Sequence, residues 1–250
     1  MKPIQIFPDP ASLAESAAHQ FIELGNDAIQ KKGVFYTALA GGSTPKATYT
    51  LLGSKEFAPQ LDWSKVHIFW GDERCVPPDD PDSNYLMAYQ ALIKKIPIPT
   101  KNVHRMRAEL EPLEAADKYD QELQTTLGDP PQLDLVHLGM GDDGHTASLF
   151  PGTKAISENK RLAAANFVQK LNDWRITLTP VMINQAHNIS FIVAGPNKSQ
   201  TLRKVLEEKY DPHVLPSQII HPTAGSLTWL IDEAAGQSLK LDKTPSRFKK

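Results

Sequence analysis

Seven short apolar runs recur along the chain, and longer amphipathic stretches separate most of them. Most of these runs are continuously apolar, as expected of strands that are covered on both faces of a parallel sheet. The alternation predicts repeated β-α-β units, and therefore an α/β protein with a mostly parallel sheet. The predicted strands are residues 4–7, 34–40, 67–70, 133–140, 162–168, 189–194 and 227–231.

Helix starts are indicated at Asp9, Thr44 and Thr179, because each of these capping residues precedes a proline that suits the first helical position. Further helices are predicted over residues 84–94, 113–127 and 198–208. The proline-rich segments near 76–81 and 97–99 are expected to be loops inside one domain, since predicted strands continue on both sides of them. We therefore expect one domain over residues 1–239, followed by a basic tail, 240–250, that frays.

The charge balance and the single cysteine narrow the class of protein. Acidic and basic residues nearly cancel, 29 against 27, so no long-range field favours nucleic acid or an anionic membrane. Cys75 alone cannot form an internal disulfide or a multi-cysteine zinc site, and it favours a reducing compartment. No signal peptide and no run of about 20 apolar residues is present. A cytoplasmic protein without nucleic-acid or membrane partners is expected.

Ligands of open parallel sheets bind at the carboxyl ends of the strands, so function is expected in the segments that follow them. The first is the turn formed by Gly41, Gly42, Ser43 and Thr44. Its glycines and the helix N-terminus after it suit a phosphate, although an ordinary capped turn would have the same sequence. It matches neither the Walker A motif nor the dinucleotide fingerprint, so nucleotide binding at this turn is disfavoured.

The second segment follows predicted strand 67–70 and contains Asp72, Glu73 and Arg74. A guanidinium binds phosphate bidentately, and Asp72 would suit a sugar hydroxyl or a cationic group. The alternative is a local ion pair on a solvated loop.

The third segment, GMGDDGHTASLFPGT, is the most informative. Its glycines can bring backbone N–H groups toward a ligand, and His145 follows directly. Histidine titrates near neutral pH, so it can take a proton from water and return it to a leaving oxygen. Either Asp142 or Asp143 would be able to orient the imidazole, whereas a purely helix-capping histidine is the alternative. The glycines in question are Gly139, Gly141 and Gly144.

Other chemistries find less support. No zinc-protease, zinc-deaminase or nucleophile-elbow motif is present, and Ser148 is expected inside a helix after His145. We interpret Cys75 as structural, and His67 and His137 as core histidines bonded to backbone groups. Two further cations, Arg175 and Lys198, would suit a phosphate or would equally suit a solvated surface.

In this order, the segments AGGSTP, FWGDER, GMGDDGHTASLFPGT, RITLTP and VAGPNKSQ resemble the 6-phosphogluconolactonase family of the oxidative pentose phosphate pathway. The resemblance spans nearly the whole chain. It implies a modified Rossmann-like, three-layer α/β fold, and hydrolysis of 6-phospho-D-glucono-1,5-lactone to 6-phosphogluconate with a sugar phosphate as the only partner and without cofactor or metal. It also implies that His145 is the general base, with the substrate phosphate near Gly42, Ser43, Arg74, Arg175 and Lys198.

Two alternatives stay open. The wider superfamily that the chain resembles includes glucosamine-6-phosphate deaminases, in which the counterpart of Asp72 abstracts a proton and a glutamate follows the Asp-Gly-His turn. Here no carboxylate follows His145 until Glu158. A non-catalytic sugar-phosphate sensor is the third reading, although no helix-turn-helix extension or basic stripe accompanies it.

Overall fold

Two sheets of different type organise the computed structural model, which describes residues 3–240. The strands are β1 (Ile4–Phe7), β2 (Phe35–Leu39), β3 (Val66–Trp70), β4 (Asp72–Arg74), β5 (Leu135–Leu138), β6 (Ala163–Val168), β7 (Asp173–Leu178), β8 (Asn188–Val193) and β9 (Ser226–Asp232). Six of them form a parallel sheet in the order β1-β9-β8-β5-β2-β3. All four residues of β5 are buried, so both faces of this sheet are covered. The mostly parallel α/β fold is therefore confirmed.

The remaining strands form a small antiparallel sheet, β4-β7-β6. The sequence did not predict β4 or β7, and the assignment of residues 162–168 to the parallel sheet was wrong, because β6 pairs only with β7 here. β4 is three polar residues long, and the first three residues of β7 are only half-buried, so neither strand has a continuous apolar run. Both sheets nevertheless contribute to one hydrophobic core, for example through Val136 and Ile176.

The helices begin with a side-chain cap in five of seven cases within residues 3–240. They are α1 (Pro10–Lys32), α2 (Ser43–Leu52), α3 (Asn84–Ala91), α4 (Pro112–Leu127), α5 (Pro180–Asn184), α6 (Ser199–Glu207) and α7 (Glu233–Gly236). The side chains of Asp9 and Thr179 cap α1 and α5, as predicted. Thr44 was wrong as a cap: α2 begins at Ser43, two residues before Pro45, and Gly42, with φ of 100°, precedes it without a side-chain cap. Only a glycine adopts this conformation freely, and it directs the chain into the helix before Pro45 is reached.

Contrary to the sequence prediction, the two histidines assigned to the core do not bond to backbone groups of the described residues through their rings. His137 of β5 is fully buried, but neither ring nitrogen has a hydrogen-bond partner within residues 3–240. Its ring stacks with Tyr49, at a centroid distance of 6.0 Å. His67 bonds to another side chain rather than to backbone, with 2.9 Å between its Nδ1 and Nε2 of His104.

The edges of the predicted elements shift by a few residues. The helix expected over 84–94 ends at Ala91, because Leu92 leaves the helical region and a short 3₁₀ turn, Ile93–Lys95, follows. Of the predicted basic tail, only Lys240 belongs to the described residues, where its backbone N–H donates to Oε1 of Glu207; the rest lies outside them. Across residues 3–240, no helix is both long enough and apolar enough to cross a bilayer.

Candidate active site

A cleft lies at the carboxyl ends of the central parallel strands. β2 and β5 are neighbours in the sheet. The chain continues from β2 to β3 on one side of this pair, and from β5 to β8 on the other side, so the strand order reverses between β2 and β5. Such a reversal leaves a crevice beyond the strand ends. Two adjoining cavities of about 300 and 320 Å³ occupy it. The residues that line both are Asp72, Arg74, Asp142, His145 and Ala147.

His145 is oriented by a carboxylate. Its Nδ1 lies 2.5 Å from Oδ1 of Asp143, and its backbone N–H donates to the same oxygen at 3.3 Å. An ionised carboxylate only accepts, so in a neutral imidazole the proton belongs on Nδ1 and Nε2 is left as the proton acceptor. The ring also stacks on Phe150, with 4.0 Å between centroids. The imidazole is therefore held in one tautomer and one orientation.

Each carboxylate oxygen of Asp143 has a hydrogen-bond partner that favours its ionised form. The hydrogen bond with His145, and after it the bond that Lys170 donates to Oδ2 at 2.9 Å, keeps the pKa of Asp143 well below its usual range, against the opposing effect of burial. Asp142 faces elsewhere: its Oδ1 accepts from Lys198 and from Nδ2 of Asn197, and its side chain is 70% exposed. Of the two acids that the sequence left open, Asp143 contacts the imidazole.

The glycine-rich loop is shaped around the histidine. A Cβ on Gly141 would stand 2.1 Å from the imidazole, so no larger residue fits there. The N–H of Gly141 donates to the carbonyl of His145 at 2.9 Å, which closes the loop on itself. Gly144 adopts a φ of 79°, and its carbonyl accepts from Ser217. Gly144 therefore shapes the turn but does not line the cleft.

No helix follows His145, so the helical assignment of Ser148 was wrong. Ala147 has a φ of 46°, which interrupts any right-handed helix at this point. Ser148 instead donates from Oγ to Oδ2 of Asp72 at 2.7 Å. Asn84 donates to the other oxygen of Asp72 at 3.3 Å and to its carbonyl at 2.9 Å. Asp72 is thus fixed at the cleft by two partners that the sequence did not single out.

Glu73 serves the fold rather than the cleft. It is 3% exposed, and its carboxylate accepts from the backbone N–H groups of Arg74, Asn84 and Tyr85 and from Oγ of Ser83. Burial raises the pKa of Glu73, and these N–H donors act against that shift. The side chain therefore ties the first turn of α3 to β4.

Besides Lys170, which bonds to Asp143, three cations line the cleft. Arg74 and Arg175 are register partners on β4 and β7, and Lys198 follows β8. Arg74 donates to the carbonyl of Asp82, and Arg175 contacts Asp173 and the carbonyl of Trp174. Each guanidinium thus has a fixed position beside the cavity.

The glycine turn after β2 completes the wall. Gly41 and Gly42 line it, whereas Ser43 and Thr44 do not. A Cβ on Gly41 would stand 2.0 Å from Oδ1 of Asn84, so only glycine fits between this turn and α3.

Several lining residues escaped sequence reasoning: Asn84, Ser148, Phe150 and Lys170. Lys170 lies in the turn between β6 and β7, and the second of these strands was not predicted. Burial raises the pKa of Cys75 to about 11, which fits a structural thiol. Within residues 3–240 no group of three or more His, Cys, Asp and Glu side chains is placed to hold a metal ion.

The chain belongs to the family of glucosamine-6-phosphate isomerases and 6-phosphogluconolactonases, whose sequence model matches residues 8–229. It is 42% identical to the 6-phosphogluconolactonase of a Nostoc species, over 96% of this chain and 99% of that one. Identity to the 6-phosphogluconolactonase of a Synechocystis species is 41%, over 85% and 88% of the two chains. Among solved structures, the 6-phosphogluconolactonase from Trypanosoma brucei is 28% identical and superimposes with a TM-score of 0.85, covering 96% of this chain and 99% of that one.

Proposed function

We propose that this chain hydrolyses 6-phospho-D-glucono-1,5-lactone to 6-phosphogluconate. The observation that carries the proposal is the Asp143–His145 pair, which presents an imidazole Nε2 to a cleft that also contains cations. A base and an anion site in one cleft suit an uncharged reacting group attached to a phosphate. Relatives that cover nearly the whole chain carry this activity in their names.

The phosphate is the anchor. Arg74 lines both cavities of the cleft, Arg175 lines one of them, and Lys198 lines the other together with the turn at Gly41 and Gly42. Guanidinium groups bind phosphate bidentately, and glycines expose backbone N–H groups to it. Binding energy from this distant group holds the lactone carbonyl beside the imidazole, so the reaction gains from orientation.

His145 then moves one proton twice. Nε2 takes a proton from water while the hydroxide oxygen bonds to C1, and the carbonyl electrons move onto the carbonyl oxygen. Backbone N–H groups of the loop over residues 139–144 stabilise this oxyanion, other than those of Gly141 and Gly144, which donate to the carbonyls of His145 and Gly141. When the carbonyl re-forms, the bond from C1 to the ring oxygen breaks and the imidazolium protonates that oxygen. Asp143 stabilises the imidazolium, and general-base catalysis of this kind contributes about 10²–10⁴-fold.

The position of Glu158 disfavours the deaminase alternative. Asp72 would be its proton-abstracting base, and its oxygens accept one hydrogen bond each, from Ser148 and Asn84, which leaves further lone pairs free. Glu158, the first carboxylate after His145, accepts from the backbone N–H groups of its own turn, residues 159–161. Glu158 does not line the cleft, so the glutamate of that reaction has no counterpart there, whereas Asp72 lines the cleft under either reading.

The test is proton release at neutral pH after adding freshly generated lactone, measured above the spontaneous background. We expect the wild type to accelerate release, His145→Ala to lose about 10²-fold or more, and His187→Ala, an exposed histidine outside the cleft, to match the wild type. A wild type without acceleration would refute lactone hydrolysis, and ammonia release from glucosamine 6-phosphate would be measured next. A fully active His145→Ala would remove only the role of the base.

Location and partners follow from the same features. We propose a cytoplasmic enzyme whose partner is the sugar phosphate alone, because the single cysteine is free and the net charge of −2 favours no polyanion.

A further inference from the structure

A second cavity lies between α3, the segment 93–110 and α4, and it shares no lining residue with the catalytic cleft. Its volume, about 550 Å³, exceeds that of either cavity in the cleft and falls within the range of small-molecule sites. In the first turn of α3, Asn84 lines the cleft and its neighbour Tyr85 lines the cavity.

One wall of the cavity is aromatic and apolar. The rings of Tyr85 and Tyr89 lie 6.0 Å apart between centroids, and 40% of Tyr89 is exposed. Ile93, Ile98 and Leu110 extend this wall. Aromatic side chains with exposed faces favour stacking with a planar ring, so the wall suits a flat apolar group.

The other wall carries unpartnered positive charge. Four cations and two acids line the cavity, and both acids are already paired. Glu109 forms two hydrogen bonds with Arg105, at 2.7 and 2.8 Å, and Glu122 lies 2.8 Å from Nδ1 of His104. Lys118 pairs with a carboxylate outside the cavity.

Of the four cations that line the cavity, Lys94 and Arg107 remain without a paired carboxylate in the described part of the chain. Neither has a carboxylate within 4.0 Å anywhere in residues 3–240, although Arg107 acts on Glu109 at longer range and helps to lower its pKa. A smaller cavity of about 200 Å³ adjoins this wall and is lined by Arg107 and Lys118 as well, so there is room for an anionic group beside the cations.

We propose that this cavity binds a small molecule in which a planar aromatic ring carries a phosphate, as a nucleoside monophosphate does. The ring stacks on exposed Tyr89, beside which Tyr85 lies under the guanidinium of Arg105, and the phosphate is bound by Arg107 and Lys94. Guanidinium and phosphate form charge-assisted, often bidentate hydrogen bonds. Neither half of the cavity alone selects this ligand, because the tyrosines attract any flat ring and the cations attract any anion.

The probe is AMP, titrated into the wild-type chain by isothermal titration calorimetry, with adenosine and inorganic phosphate as the two halves of the ligand. We expect AMP to bind with a dissociation constant of about 1 mM or tighter, and each half to bind at least about tenfold more weakly. Adenosine or phosphate binding as tightly as AMP would overturn the proposal, as would the absence of AMP binding.

Matched variants locate the site. Lys94→Gln, Arg107→Gln and Tyr89→Ala are each expected to weaken AMP binding about tenfold, which corresponds to roughly 1.4 kcal/mol. Lys95→Gln changes the neighbouring exposed lysine, which does not line the cavity, and should leave the affinity unchanged. Arg74→Gln tests binding through the catalytic cleft instead. Loss of AMP binding in Arg74→Gln, or unchanged binding in the three cavity variants, would place the ligand elsewhere and refute the proposal.

Discussion

Replacing His137 with methionine should make the protein less sensitive to acid. His137 is fully buried in β5, and within the described residues its ring has no hydrogen-bond partner. Burial alone lowers its pKa to about 3. Methionine has a similar volume, adapts its shape to Phe21 and Tyr49 around the site, and does not titrate.

The magnitude follows from proton linkage. Below pH 6.5 the unfolded chain protonates this imidazole, whereas the folded chain keeps it neutral down to about pH 3. The unfolded state therefore binds one more proton in this window, and the wild type loses about 1.4 kcal/mol of unfolding free energy for each pH unit below 6.5. At pH 5 the loss is roughly 2 kcal/mol, and His137→Met does not suffer it. At pH 7 the titration contributes little. The two proteins then differ in unfolding free energy by the gain from removing unpartnered polar atoms, about 1–3 kcal/mol, less a repacking cost of up to about 1.5 kcal/mol.

The assay is urea unfolding of both proteins at pH 7, 6 and 5. The advantage of His137→Met over the wild type should grow by about 2 kcal/mol between pH 7 and pH 5. Leu138→Met, a buried and non-titrating change in the same strand, should differ from the wild type by the same amount at every pH. If the difference for His137→Met is also constant, the folded protein protonates His137 and the reasoning from burial is wrong.

Three further predictions concern the cleft and its loop. Asp143→Asn should lower kcat by about 10²–10⁴-fold with little change in KM, because the amide no longer orients and stabilises the imidazole, and steady-state proton release measures this; a change confined to KM would contradict it. Lys198→Met should raise KM about tenfold with a smaller effect on kcat, since it removes a phosphate ligand made in ground and transition state alike. Ala147→Gly should relieve the cost of φ 46° and raise stability by up to about 1 kcal/mol, or Tm by about 2–4 °C, in a thermal melt, whereas a lower Tm would show that Ala147 is unstrained.

The sequence indicated the parallel sheet because buried strands carry their own signal in continuous apolar runs such as 189–194. It could not indicate β4, whose three charged residues give no apolar signal and are ordered by pairing with β7 and by the hydrogen bonds of buried Glu73. The same distinction applies to the caps. Asp9 and Thr179 bond to N–H groups three residues on and are local, whereas α2 begins after Gly42 without a side-chain cap, so no capping residue marks its start.

For the site, the residues supplied by the glycine-rich segments were predictable, and their partners were not. The segment with His145 also contains Asp143, so the orienting acid was one of two local candidates. Lys170, which binds the other oxygen of Asp143, comes from a turn 27 positions away. Ser148, which fixes Asp72, is 76 positions from it in sequence. The residue pattern within one segment cannot predict hydrogen bonds between residues that lie so far apart in the sequence.

The junction of the two sheets explains why the base and the cations share one cleft. The glycine-rich loop with His145 leaves β5 of the parallel sheet, whereas Arg74 and Arg175 belong to the antiparallel sheet. Gly71 alone separates β3 from β4 and bonds to both sheets: its N–H donates to the carbonyl of Leu39, and its carbonyl accepts from Leu178, both at 2.8 Å. The position of the arginines relative to the imidazole is therefore set by backbone pairing on both sides of one residue. In the proposed mechanism the two arginines therefore approach the substrate from the antiparallel sheet, whereas His145, Lys198 and the turn at Gly41 and Gly42 approach it from the parallel sheet.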